Sequence, residues 1–162
     1  RGQTLVGINT GHPNRLVAEA IEAGRIGALA GYESLRREVK YGTNSRIDLL
    51  LEDAGRGRAY VEIKNVHLMR VSGRAEFPDS VTERGAKHLA ELAEMVRQGH
   101  RAVMLFLIQR GDADRMALAG DIDPNYTAAF AAARAAGVEA LAYRCLMTPE
   151  EITLDAPVAI ES

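Results

Sequence analysis

The chain has 162 residues, 47% hydrophobic and 26% charged, with a net charge of −2, which fits one domain able to bury a core without staples. Its single cysteine, Cys145, excludes an internal disulfide and fits the cytoplasm. The longest apolar run, Ala102 to Ile108, is too short to span a bilayer, and no charged-then-apolar leader opens the sequence.

The first expected element is a helix. Pro13 suits its first turn, Leu16, Val17, Ala20 and Ile21 form an apolar stripe, and Gly24 suits its end. Glu19 lies on the border of that stripe. Three strands follow, Glu33–Tyr41, Ser45–Leu51 and Ala59–Val66, separated by turn-forming residues, as in an antiparallel meander. Ser80-Val81-Thr82-Glu83 reads as a capping box that opens a helix carrying Val81, Leu89, Leu92 and Val96 and stopped by Gly99. Ala102–Ile108 is apolar at every position, as a central strand covered on both faces is. Asp123-Pro124 caps an Ala-rich helix that runs to Gly137, and Val138–Met147 reads as the last strand. This order predicts one α/β domain over 1–162, a mixed sheet flanked by helices.

A hairpin centred on Gly55 places Leu51 opposite Ala59, Leu50 opposite Tyr60, Asp48 opposite Glu62 and Arg46 opposite Lys64. Glu62 and Lys64, two apart, share a face with Asp48, while Ile47, Leu49, Val61 and Ile63 take the other face and the core. Two carboxylates so close repel one another, and a divalent cation relieves the repulsion. Oxygen donors suit Mg²⁺ or Mn²⁺, which activate water and stabilise charge on a phosphoryl oxygen. An ammonium alongside orients the water or neutralises the developing charge. From spacing alone a second reading stays open: a solvated hairpin face with a Glu62–Lys64 ion pair of small worth.

The cationic residues are unevenly spread. Residues 1–75 carry a balance of +4 and residues 76–162 a balance of −6. Only three residues are Lys, beside 17 Arg: Lys40, Lys64 and Lys87. Arg36, Arg37, Lys40 and Arg46 are the expected phosphate contacts, with a solvated sheet face as the rival reading. Lys87 either contacts phosphate or pairs with Glu91. Gln109 either faces a cleft or satisfies backbone at a strand end. His12, His67 and His88 either carry protons or fill surface or capping roles, the second being the commoner use, and Cys145 reads as a core residue.

Several stretches carry a resemblance. They include Gly7-Ile8-Asn9-Thr10, Pro13 to Ile21, Glu38 to Gly42, Ser45-Arg46-Ile47-Asp48 and Tyr60 to Val66. Phe77 to Gly85, Lys87-His88-Leu89, Gln109-Arg110, Ile122-Asp123-Pro124 and Ala136-Gly137-Val138 continue it. Together they resemble the sugar fermentation stimulation protein A family over nearly the whole chain. The resemblance implies a PD-(D/E)XK nuclease-like domain associated with DNA. Members of that family carry an OB-like domain ahead of this one, and the chain matches only the second part. Asp48, Glu62 and Lys64 match the nuclease signature, with Ile47 where the signature has Pro, and Glu19 matches the acidic position on the helix. On that pattern Asp48, Glu62 and the Ile63 carbonyl hold Mg²⁺ or Mn²⁺, and Glu19 acts directly or through water. Two functions follow: a metal-dependent nuclease acting on DNA or RNA, and a non-catalytic DNA-binding regulator of sugar, notably maltose, metabolism. No helix-turn-helix is visible to strengthen the second.

Overall fold

The computed structural model describes residues 13–161. Gly7–Thr10 and His12, singled out above, lie outside the described residues. The first helix, α1, spans Pro13–Glu22 and buries Val17, Ala18, Ala20 and Ile21. The meander follows as β1 (Ser34–Tyr41), β2 (Ser45–Asp53) and β3 (Gly57–Val66). Next come β4 (Leu68–Val71), β5 (Arg74–Phe77), α2 (Glu83–Arg97), β6 (Arg101–Ile108) and β7 (Arg115–Leu118). Then α3 (Pro124–Ala136), β8 (Glu139–Met147), β9 (Ile152–Pro157) and β10 (Ala159–Ile160) complete the described chain.

A six-stranded mixed sheet, ordered β1-β2-β3-β6-β8-β9, forms the centre. Its first three strands are antiparallel, β3, β6 and β8 are parallel, and β9 closes the far edge antiparallel. β6 is apolar throughout because both its faces are covered. Val103, Leu105 and Leu107 join the core beneath α1, while Ala102, Met104, Phe106 and Ile108 join the core beneath α2 and α3. Cys145 is fully buried in the α1 layer, and burial pushes its thiol up to about 12, so it is a core residue. Among the described residues no helix is long and apolar enough to cross a membrane.

Three expectations are corrected. Val138–Met147 is not the last strand, since β9 and β10 follow β8. A second, four-stranded sheet, β10-β7-β5-β4, lies outside the predicted order. Its strands have four residues or fewer, too short to display a period of two, and charged pairs such as Arg70–Glu76 at 2.8 Å tie them together. The cap of α2 is Thr82, not Ser80: its side chain accepts from the Gly85 N–H at 3.1 Å, and Val81 lies exposed before the helix.

The Asp123 carboxylate caps α3 through the Tyr126 N–H at 3.0 Å and also takes the Thr82 N–H at 2.8 Å, so one side chain ties together the starts of both helices. There Gly85 lets the buried Tyr126 ring pass against α2. A Cβ at residue 85 would lie 2.9 Å from Tyr126 ring carbons and from the Thr82 methyl. Gly85→Ala is therefore expected to destabilise the fold by about 1–2 kcal/mol, because overpacking outweighs the gain in helix propensity. A urea midpoint equal to or above that of the parent protein would show that Tyr126 yields freely.

Candidate active site

The site forms where the β1–β2–β3 meander loses its regularity. The hairpin register about Gly55 holds from Asp53–Gly57 to Leu49–Val61, with Leu50 opposite Tyr60 and Leu51 opposite Ala59. It stops one step short of Asp48–Glu62. On the other side, β1 pairs Arg37 with Leu49 and Val39 with Ile47, but Glu38 and Asp48 between them do not pair. Glu38 has φ +56°, a left-handed value uncommon outside glycine. Both ladders thus lapse at Asp48.

The lapse re-aims side chains. Ile47 and Leu49, two apart, should share a face, yet Ile47 packs into the core beneath α2 and Leu49 into the core beneath α1. The expectation that Ile47 shares a face with Leu49, Val61 and Ile63 is corrected accordingly, although all four are buried. Arg46 does not face Lys64. It pairs with Lys40 across β1, and its Nη1 donates to the Glu38 carbonyl at 2.9 Å.

Asp48 takes over the role of the missing ladder. The Ile63 N–H donates to its Oδ2 at 2.7 Å, and Asn14 Nδ2 on α1 donates to its Oδ1 at 3.0 Å. Burial and then the Glu62 charge raise the Asp48 carboxyl above its ordinary value, against the opposing pull of the Ile63 N–H, Asn14 and Lys64. The expected Asp48–Glu62 pair on one face is not formed, because the ladder lapses there: Asp48 is held by Asn14 of α1 and the Ile63 N–H, whereas Glu62 meets His88 of α2, although the Glu62 charge still acts on the Asp48 carboxyl.

Glu62 is 4% exposed. Its Oε2 lies 3.3 Å from Lys64 Nζ and 3.2 Å from His88 Nδ1, and those two nitrogens are 3.4 Å apart. Its Oε1 is buried with no hydrogen-bond partner among the described residues. The buried Tyr41 and Tyr126 hydroxyls, also without partners, line the same region: burial and then the Glu62 charge raise both phenols. An unpaired carboxylate oxygen in such a place is costly unless something positive meets it.

Other expected residues go elsewhere. Glu19 lies exposed, 3.9 Å from Arg15, and makes no hydrogen bond to Asp48 or Glu62. The apolar stripe fixes how α1 rolls onto the sheet, and Glu19 sits about 140° around the helix from Asn14, the residue that does reach Asp48. Lys87 donates to the Thr43 carbonyl at 3.2 Å rather than pairing with Glu91. Glu91 instead accepts from the Thr43 N–H at 3.2 Å and from the Ser45 hydroxyl, so together they grip the β1–β2 turn. Gln109 is buried, and its Nε2 donates to the Asn65 side chain at 2.9 Å. Arg36, Arg37, Lys40 and Arg46 are all exposed, and Arg36 is paired with Glu52 at 3.0 Å.

Asn14 and the two tyrosines are site residues to which the sequence does not point, and His88, expected at the surface or in a cap, instead meets Glu62 and Lys64. Tyr126 shows only the helical spacing of a core aromatic. His88 is next to Lys87 in a stretch that carried the resemblance, but nothing in its local pattern points to Glu62, 26 residues away.

A mixed sheet with helices on both faces, bearing Asp and Glu-x-Lys where a hairpin splays, defines an α/β domain consistent with a nuclease-like fold. The chain belongs to the sugar fermentation stimulation protein family: the family model for the "Sugar fermentation stimulation protein RE domain" matches residues 11–151. The chain is 65% identical over 152 residues to a sugar fermentation stimulation protein homolog of Rhodospirillum centenum, covering 94% of this chain and 65% of that one. The homolog of Rhizobium meliloti is 58% identical over 158 residues, covering 98% and 66%. The chain thus spans just under two thirds of the length of these relatives. Among solved structures it is similar to Pyrococcus furiosus SfsA in complex with Ca²⁺, at a TM-score of 0.80 and 29% identity, covering 89% of this chain and 62% of that one.

Proposed function

We propose that this domain hydrolyses phosphodiester bonds of DNA or RNA with a divalent cation. The observation that carries the reading is the buried, unpartnered Glu62 Oε1 close to an Asp48 carboxyl raised by burial and by the Glu62 charge, with the Lys64 ammonium on the far oxygen. Among the described residues no three His, Cys, Asp or Glu side chains form a ready-made metal cage. That fits Mg²⁺ or Mn²⁺, which take one or two carboxylates and complete their shell with waters and substrate phosphate. The Ca²⁺ held by the Pyrococcus furiosus relative, a hard cation of the same oxygen preference, supports the donor set.

Asp48, Glu62 and the Ile63 carbonyl would hold the cation, which supplies a water of lowered pKa and polarises the phosphoryl oxygen. Asn14 and the Ile63 N–H keep Asp48 oriented for that task. Glu19, exposed on α1 beside Arg15, is not among the residues proposed to hold the cation directly. Lys64 presents a compact positive charge beside Glu62, suited to orienting the attacking water or meeting charge on the phosphate. As the new P–O bond forms, the attacking water gives up a proton to solvent, the ester P–O bond breaks and the leaving oxygen takes a proton from solvent.

Lys40 and Arg46, side by side on β1 and β2, with Arg37 nearby, are the proposed phosphate contacts, acting in the cytoplasm on nucleic acid. Arg36 is a weaker candidate because Glu52 neutralises it. An OB-like domain ahead of this one, as in the family, would extend the contact surface.

The test is incubation of single- and double-stranded DNA and RNA with Mg²⁺ or Mn²⁺, using Asp48→Ala as the control. Cleavage that needs the cation and vanishes in Asp48→Ala is expected. Binding should weaken as salt rises, with a smaller slope after charge reversal of Lys40 and Arg46. Salt-dependent binding with no cleavage of any substrate would favour the regulator reading, to which the family's name for sugar fermentation lends itself.

A further inference from the structure

We propose that His88 is a positioning residue for Lys64, holding its ammonium in place when the Glu62 charge is engaged elsewhere; this rests on the nuclease reading above. His88 Nδ1, Lys64 Nζ and Glu62 Oε2 form a nearly equilateral triangle, with sides of 3.2, 3.3 and 3.4 Å. Lys64 donates to Glu62 in any case. Nδ1 has one choice to make. With its proton on Nδ1, the ring donates to Glu62; with the proton on Nε2, Nδ1 accepts from Lys64.

A bare Glu62 carboxylate draws hydrogen from both neighbours. Once a cation shares the Glu62 charge, the carboxylate becomes a weaker acceptor for Lys64. A flexible four-carbon stem would then let the ammonium drift. The Nδ1 lone pair is the acceptor at hand to keep it there, and changing tautomer needs no change in ring charge. The ring itself is well placed to act as a stop. It projects from α2, whose neighbouring Leu89 and Leu92 are fully buried and whose start is capped by Thr82. The side chains of His88 and Lys64 are only 13% and 19% exposed, so water competes weakly for the contact. Residues that orient the groups around a metal typically matter by about 10- to 100-fold.

The chain's three lysines make the test direct, since ¹⁵N-lysine labelling yields three ammonium signals, with Lys64 assigned by its absence in Lys64→Arg. In the parent protein the Lys64 ammonium signal should persist, protected from exchange, on adding Mg²⁺. In His88→Ala it should broaden away once Mg²⁺ is present. His88→Asn places an amide oxygen near the position of Nδ1 and should restore it. Where cleavage is measured, His88→Ala should lower kcat by about 10- to 100-fold with KM within about threefold, and His88→Asn should recover most of kcat. A Lys64 signal in Mg²⁺ that is the same in His88→Ala as in the parent overturns the proposal. So does equal loss in His88→Ala and His88→Asn when both retain the parent's melting temperature. The ammonium signal reports on His88 whether or not the protein cleaves, so failure of the nuclease reading is seen separately, in the cleavage assay.

Discussion

Lys64→Ala is expected to abolish cation-dependent cleavage while leaving nucleic-acid affinity within a few-fold. The ammonium lies 3.3 Å from the buried Glu62 carboxylate, in a site where water screens poorly. A charge held there acts mainly on the transition state, in which negative charge accumulates on the phosphate. Losing one such preorganised group costs about 10²–10³ in rate. The ground-state complex loses one phosphate contact among several, hence the small change in affinity. Cation binding should move the other way. Lys64 is one of the groups that draw the Asp48 carboxyl down, so removing it leaves Asp48 and Glu62 with a larger uncompensated charge and a tighter grip on Mn²⁺. Lost cleavage with retained or tightened Mn²⁺ binding is thus the expected signature, read by calorimetry beside the cleavage assay. Lys64→Arg should not rescue, because a planar guanidinium cannot replace a compact ammonium inside the Glu62–His88 triangle. Glu62→Gln should also stop cleavage, but with Mn²⁺ binding lost. Wild-type rates in Lys64→Ala would remove Lys64 from the chemistry.

The parts of the fold written in local patterns were legible in the sequence. β6 announces itself because a strand covered on both faces has no reason to alternate. The β2–β3 register follows from one turn, and Leu50–Tyr60 and Leu51–Ala59 pair as the arithmetic requires. The candidate site was legible only up to Asp48. Strict alternation assigns Ile47 to the face of Leu49, whereas the alternation of β2 breaks at Asp48, where both ladders lapse, and Ile47 enters the other core. That break also frees the Ile63 N–H for the Asp48 carboxylate. Glu19 illustrates a second limit. A resemblance aligns positions along the chain, but the roll of α1 decides which side chain meets the sheet, and it favours Asn14. His88 and Tyr126 reach Glu62 from helices far along the chain, a packing relation that neither period nor spacing encodes.

Asp48→Asn should make the metal-free protein more stable at neutral pH while abolishing its response to divalent cations. Burial and the Glu62 charge raise the Asp48 carboxyl above the ordinary value of 3.8. The folded protein therefore binds this proton more tightly than the unfolded chain does. Stability is greatest when Asp48 is protonated, falls as pH rises from near 3.8 through the raised folded value, and stays lowered above it. An amide removes that penalty and keeps the geometry. Its oxygen accepts from the Ile63 N–H, and its NH₂ donates to Asn14 once that carboxamide turns its oxygen inward. The urea midpoint of Asp48→Asn should exceed that of the parent at pH 7, and the difference should close at about pH 3, where the unmodified carboxyl is protonated in both states. Divalent cation should reverse the order. A ligand at 100 times its Kd stabilises the folded parent by about 2.7 kcal/mol, and the variant, without its carboxylate, gains nothing. Equal Mn²⁺ stabilisation of both proteins would place the cation away from Asp48. A variant less stable than the parent at pH 7 without cation would mean that the Ile63 and Asn14 hydrogen bonds outweigh the cost of holding two carboxylates together, and that the site is built for a structural pair rather than for an ion.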